Sequence, residues 1–468
     1  MTDIANMPAA CDDDRAIIEA GYKPQLRRSL GFFSSFAISF SFMSILLGVF
    51  SAYGFVLSKA GPFGIWTWPM VGFGQTMVAL IFAEMAGRIP LTGALYNWNT
   101  RLANPAVGWM TAWILIFVYA VSGSGVVVAM MAPLQTFLGV QFSDNMAREV
   151  GVGVIIAQTT INIYGVRLAA HANKLAVIAE MIALFVFGAL LLGVILVKGE
   201  AHTSLLTTMP AMGSSYLPGF LMASLLAAWT LFGFETPSDL SEETVNVKRV
   251  TSKSIVSSVL VTATLGFVFV IILTLAIPDV AAVTASPDPV SMIVAHHLGD
   301  AATKVFLVVV LLSMFAATML NITAASRILF AIGRDKRIFG AAALTRVSGH
   351  NVPTTAIAVV AVLEILAIIF FQSMTDLFAT PTILLTTAYL ITVICFTRGA
   401  KKLPPTSHFS LGKWHWPVTI MAVIWLVSEV CILTLPDDFH SAAAIAGAVL
   451  VAGAALYFVA GRKSTGPA

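Results

Sequence analysis

The run from Ala227 to Asp239 reads Ala-Ala-Trp-Thr-Leu-Phe-Gly-Phe-Glu-Thr-Pro-Ser-Asp and sits inside an apolar stretch. It carries Gly233, Glu235, Pro237 and Asp239 close together. A carboxylate at the middle of a bilayer costs roughly 2.5–3.5 kcal/mol on insertion scales. Gly and Pro loosen the backbone ladder at the same place. Such a combination is tolerated where unwound backbone lines a polar cavity at membrane depth. Glu235, at the break itself, is the candidate partner for an ammonium-bearing ligand, a proton or a polar gate. Trp229 lies four residues, about one helical turn, before Gly233. Its ring can cover a bound head group, and an aromatic face attracts an ammonium by about 0.5–2 kcal/mol. The competing reading is that Trp229 fills a helix interface.

A second irregular stretch, Ser34 to Gly48, is rich in Ser and Phe. Its hydroxyls can serve freed backbone groups or a ligand, or its small residues can let helices pack closely. The ionisable residues read as lying within spans are Glu84, Glu180, Glu235, Asp239 and Glu364. Glu84 and Asp239 are placed near water-accessible ends as structural groups. Glu364 is given a structural pairing and no role. Glu180 is balanced between ion coupling and structure. The aromatics Trp113, Tyr119, Trp229, Phe232 and Phe234 gather in two spans.

The elements that must hold these residues follow from composition. Hydrophobic residues make up 58% of the 468 and charged residues 10%, against about 25% charged in soluble domains. Twelve apolar runs near the roughly 20-residue length of a membrane helix are read at about 31–57, 64–87, 107–138, 149–166, 173–197, 215–238, 254–277, 302–331, 354–372, 376–397, 416–435 and 440–461. With twelve spans and a cytoplasmic N-terminus, only Lys59, Arg148, Lys198 and Lys304 of the 26 lysines and arginines fall outside. The positive-inside rule thus supports the count, with both termini cytoplasmic. The net charge of +3 reflects this topology and gives no indication of nucleic acid.

Residues 1–29 read as a cytoplasmic tail and not as a signal peptide. Residues 30–468 read as one membrane domain, embedded in the lipid bilayer of a plasma membrane such as a bacterial inner membrane. Cys11, Cys395 and Cys431 offer neither a disulfide framework nor metal spacing. His171, His296 and His297 read as surface residues. No phosphate loop, metal-ligand cluster or activated nucleophile is evident, so neither an enzyme nor a cofactor is expected. Two unlike halves in one chain argue against a channel, which needs a repeated pore-lining ring.

Three segments carry a family resemblance. Phe82 to Trp98 contains an acidic helix end, then Pro90, Thr92-Gly93, Tyr96 and Trp98. Gly233-Phe234-Glu235 is followed by Ser241-Glu242-Glu243-Thr244. Ala325 to Asp335 is followed by Val352-Pro353. In this order, within twelve spans, they resemble the amino acid–polyamine–organocation superfamily of secondary transporters, and most of all its amino acid, choline and γ-aminobutyrate subgroup. The resemblance covers residues 30–461. It implies an all-α LeuT-type fold with discontinuous first and sixth helices. Inverted repeats would cover about 30–197 and 214–398, with two extra helices at about 416–461. It also implies a site between the first, third, sixth and eighth helices. Onto that site map Ser44, Ile45, Leu47 and Gly48, then Ile116 and Tyr119, then Trp229, Phe232, Gly233, Phe234 and Glu235, and finally Asn321.

The chain departs from the family in two places. Many relatives carry Gly-Ser-Gly at the first break, where backbone N–H groups hold a substrate carboxylate; this chain has Leu46-Leu47-Gly48. Some proton-coupled relatives carry a Lys in the fifth helix, where the nearest ionisable group here is Glu180. The expectation is a permease for a small amino acid or related amine, working by alternating access. Choline, ethanolamine or polyamine carriage and exchange stand as alternatives. Glu180 and Glu235 are the candidates for coupling to a proton or to sodium.

Overall fold

The computed structural model describes residues 30–164, 166–209, 216–348, 352–371, 373–400 and 408–459, together with Ile18, Arg28 and Leu403. Almost all of the expected tail over 1–29, including Cys11, lies outside the described residues. So do the side chain of His171 and the chain end beyond 459.

The described residues are helical nearly throughout, and their only strand-like pairing is an isolated bridge between Leu30 and Thr244. The first apolar stretch forms two helices, α1 (Phe32–Phe42) and α2 (Ile45–Ala60). Next come α3 (Thr67–Arg88), the short α4 (Ala94–Leu102), α5 (Pro105–Ala129), α6 (Met131–Leu138), α7 (Asp144–Tyr164) and α8 (Val166–Lys198). The sixth apolar stretch is in pieces: α9 (Tyr216–Met222), α10 (Leu225–Thr230) and α11 (Thr236–Asp239). The remainder is α12 (Val247–Leu275), α13 (Pro289–Arg334), α14 (Thr354–Phe370), α15 (Met374–Gly399), α16 (His415–Thr434) and α17 (His440–Val459).

Local sequence explains the boundaries. Asn104 caps α5 by accepting from the N–H groups of Ala106 and Val107, and Pro105 at the first helical position needs no N–H partner. Asp288 and Pro289 repeat the arrangement at the start of α13. Gly299, with φ +78°, then turns the chain, so Pro289–Leu298 forms an arm set off from the long remainder of α13.

Nine stretches of the described residues are helical, long and apolar enough to cross a membrane. Three of the expected twelve fall short of that measure for physical reasons. α7 carries Asp144, Arg148 and Glu149 in its first turns. The sixth stretch is interrupted. α14, at 17 residues, spans about 26 Å against a hydrocarbon core of about 30 Å.

Burial sorts the helices. In the α5–α6 stretch 89% of the most apolar window is buried, while in α17 only 22% is. The first is a central helix and the second a peripheral one. α5 packs against α13, α15 and α14, and α12 lies along α3 and α1. The two interrupted stretches meet where α2 crosses α10. Gly48 makes that crossing close: a Cβ there would lie 2.0 Å from the Thr230 hydroxyl. The N-terminal edge is tied to the loop after α11. Arg28 donates to the carbonyls of Ser241 and Thr244, and Leu30 N–H donates to Glu243 O at 3.0 Å.

Candidate functional site

The backbone leaves the helix after Thr230 and re-enters it at Thr236, around the Phe232–Glu235 segment that the resemblance maps onto the site. Gly233 has φ +83°, a left-handed conformation that strains any side-chain-bearing residue. A Cβ on Gly233 would also lie 2.1 Å from the ring of Phe42. Both facts require glycine here.

The freed backbone groups are answered from distant helices. Gly233 N–H donates to the Tyr389 hydroxyl on α15 at 2.9 Å, and that hydroxyl donates to Glu235 Oε2. Ser39 of α1 donates to the Phe234 carbonyl at 3.3 Å. Thr236 donates to the Gly233 carbonyl through both N–H and Oγ1. Glu235 is fully buried.

The other interruption falls at Met43–Ser44. Ser44 caps α2: its hydroxyl accepts from Leu47 N–H at 3.2 Å and donates to Glu180 Oε1 at 2.7 Å. The same carboxylate oxygen accepts from Leu46 N–H at 3.1 Å. Glu180, reaching in from α8, therefore sits on the N-terminal end of α2, where the helix dipole favours a negative charge. One turn earlier Ser41 donates to Asn173 of α8 at 2.7 Å. Of the residues mapped onto the site from this stretch, only Ser44 lies in the interruption, and Ile45, Leu47 and Gly48 belong to the first turn of α2. The reason is that Ser44 is an effective cap, while Gly48 serves the packing against Thr230.

An aromatic cluster bridges the two breaks. Phe42, the last residue of α1, lies edge-on to Tyr119 (5.4 Å between centroids) and to Phe232 (6.0 Å). Trp229 packs against Phe232 at 5.1 Å and Phe378 at 4.8 Å. Every residue mapped onto the site is buried, Ile116 and Asn321 included. Trp229 Nε1, Glu235 Oε1 and Asn321 Oδ1 are buried without a hydrogen-bond partner among the described residues.

Comparison with known proteins decides the family once this geometry is in view. The model of the family described as amino acid permease matches residues 30–456. The chain belongs to that family. The permease is 26% identical to the amino-acid permease BAT1 of Arabidopsis thaliana, over 96% of this chain and 95% of the relative. It is 24% identical to the BAT1 homolog of Oryza sativa subsp. japonica, over 90% and 87% of the two chains. The thiamine transporter thi9 of Schizosaccharomyces pombe matches at 22% identity over 94% and 84%.

Several residues of the permease escaped sequence reasoning. Tyr389 and Phe378 approach the second break from α15, and nothing local to them signals it. Phe42 lies within the Ser- and Phe-rich stretch from Ser34 to Gly48 but was given no role of its own; the missing Cβ at Gly233 makes room for its ring. Glu429, buried within α16, belongs with the membrane-embedded acids: it accepts from Gln75 Nε2 at 3.1 Å and Thr386 Oγ1 at 3.2 Å.

Two acids expected near water are buried. Glu84 is 2% exposed, pairs with Arg88 and accepts from Leu411 N–H at 3.1 Å. Asp239 is 8% exposed, and neither of its carboxylate oxygens has a hydrogen-bond partner among the described residues. The ends of these helices are covered by neighbouring loops and helices, and sequence position alone does not show such cover. Glu364, expected to pair, has no partner for either carboxylate oxygen among the described residues. Its Oε1 fills the space beside Gly123, 2.2 Å from where a Cβ would stand.

Proposed function

We propose that this permease carries a small amino acid or related amine across the plasma membrane by alternating access, with the substrate head group held between the two helix breaks. The observation that supports the reading is the pair of unanswered polar atoms at the unwound backbone and one turn before it, Glu235 Oε1 and Trp229 Nε1; Asn321 Oδ1 on α13 is likewise unanswered. A buried polar atom without a partner costs about 1–3 kcal/mol, and a ligand that answers several of them recovers that cost on binding. Phe42, Tyr119, Trp229 and Phe232 form the cover over the head group. Glu235 senses its charge, and Glu180 and Glu235 are the groups through which a proton or sodium gradient would act. In this reading the chain has twelve spans, two inverted five-helix repeats and both termini in the cytoplasm.

One observation favours the amine end of the substrate range. The α2 N-terminus, suited to an anion, already holds the Glu180 carboxylate on Ser44 and Leu46. A substrate carboxylate would meet that charge, whereas an ammonium meets Glu180 and Glu235 favourably. A thermal-shift screen of amino acids, choline, ethanolamine and polyamines on the purified permease separates the cases. Stabilisation by amines alone selects the amine reading, stabilisation by zwitterionic amino acids selects the first, and no response to any compound contradicts both.

A further inference from the structure

A second group of chemically competent side chains lies away from the breaks, at the end of the molecule where α8 finishes. Glu200 follows α8 by two residues, and His296 and His297 end the arm Pro289–Leu298. One ligand atom from each lies within 4.8 Å of the others. The His297 side chain is 1% exposed and the Glu200 side chain 42%.

The hydrogen bonding of His297 fixes what its ring offers. Nε2 lies 2.7 Å from the carbonyl oxygen of Ala276, at the end of α12. A carbonyl oxygen only accepts, so Nε2 carries the proton. A neutral His297 then turns the lone pair of Nδ1 toward Glu200 Oε2, 3.2 Å away. Two lone-pair bearing atoms at that distance repel unless a proton or a metal ion lies between them. An imidazole whose far nitrogen donates to a backbone carbonyl is the usual arrangement of a metal-bound histidine, with tautomer and ring plane set in advance. His296 adds a third donor, its ring centroid 4.8 Å from that of His297. Its exposed side chain is free to close the remaining distance. The ammonium of Lys198 stands 4.0 Å from Glu200 and half in solvent, where it can swing aside.

We propose that Glu200, His296 and His297 form a Zn2+ site that ties the arm before Gly299 to the ends of α8 and α12. Two imidazoles and one carboxylate suit zinc, whereas calcium and magnesium prefer all-oxygen shells. Three protein ligands leave a fourth tetrahedral position for water. A metal bound there joins segments nearly a hundred residues apart, and by mass action it raises the thermal stability of the folded chain.

The test uses full-length permease without a polyhistidine tag, purified in detergent and titrated with Zn2+ by calorimetry and by thermal melting. The expected result is saturable binding of one zinc per chain, with a melting-temperature increase reversed by a chelator and not reproduced by Mg2+. Changes to outer-shell partners alone cost about 10–100-fold in metal affinity, so Glu200→Gln and His296→Ala should each weaken zinc binding at least tenfold. Both side chains are partly or fully exposed, so the variants keep the fold, and their metal-free melting temperatures check this. No saturable binding, or an affinity untouched by either substitution, overturns the proposal. Loss of zinc affinity with Glu200→Gln but not with His296→Ala removes His296 from the ligand set and also overturns the three-ligand site.

Discussion

The hydroxyl of Tyr389 donates a hydrogen bond to the carboxylate of Glu235, 154 positions away in the chain. The same hydroxyl accepts from the Gly233 N–H. One side chain on α15 thereby holds both the unwound backbone and the buried charge beside it. Tyr389→Phe leaves a buried N–H and a buried carboxylate oxygen unanswered, at a cost of about 1–3 kcal/mol. We expect a lower melting temperature together with reduced substrate uptake at matched protein levels. Full uptake in Tyr389→Phe would show that the break does not depend on this bridge.

Gly233→Ala tests the break itself. The substitution places a Cβ against Phe42 and requires φ +83° of a residue that avoids it. A left-handed non-glycine residue costs roughly 1–2 kcal/mol before any clash. Expression and melting temperature should fall, and the smaller, ringless side chain in a Gly233→Ala, Phe42→Leu double variant should restore part of the loss. Equal damage in the single and double variants would mean that the strain lies in the backbone alone.

At the first break the informative pair is Glu180→Gln and Glu180→Ala. Glutamine keeps an oxygen that can accept from Ser44 and Leu46, so the helix end stays capped while the charge is lost. Alanine removes both. A capping role predicts near-normal uptake for Gln and a loss for Ala, with a stability cost of about 0.5–2 kcal/mol. A coupling role predicts that Gln also changes the dependence of uptake on an imposed proton or sodium gradient.

Trp229→Leu removes the π face and keeps apolar bulk, whereas Trp229→Phe keeps a smaller face. If Trp229 covers the substrate, apparent affinity should fall much further for Leu than for Phe. Trp229 also packs on Phe232 and Phe378, so equal and small losses would assign it to that packing.

The permease's class and its second break were legible in the chain because their causes are local. Twenty-residue apolar runs announce membrane helices, and Gly233, Glu235 and Pro237 stand within five positions of one another. What answers the break was not legible. Tyr389 and Ser39 reach it from other helices, and a tyrosine within an apolar span carries no mark of its partner. The exact position of the first break was not legible for a similar reason. Gly48 suggests loosened backbone, but in the folded chain it admits Thr230 at a helix crossing, while Ser44 does the capping. The burial of Glu84 depends on the segment at Leu411, and that of the Thr236–Asp239 helix on helices packed around it; no periodicity within the helices themselves encodes either.

Orientation can be checked by labelling. The charge asymmetry predicts that a cysteine placed at Asp144 or Asp438 reacts with an impermeant reagent applied outside sealed cells, and that one placed at Lys336 does not. Asp438 pairs with Lys59 at the surface, so substitution there exposes a reactive thiol without opening the core. Labelling at Lys336 from outside would reverse the topology.

On the proposed reading the permease is a carrier whose substrate site includes Glu235 at the second break. Counterflow in proteoliposomes tests it most directly: vesicles preloaded with unlabelled substrate, taken from the thermal-shift screen, are diluted into labelled substrate. A carrier of this kind gives a transient accumulation of label that saturates with substrate concentration and is abolished or sharply reduced by Glu235→Gln, a variant that keeps the shape and removes the charge. Non-saturating flux without accumulation, or counterflow in Glu235→Gln equal to that of the wild-type chain at every pH, would contradict it.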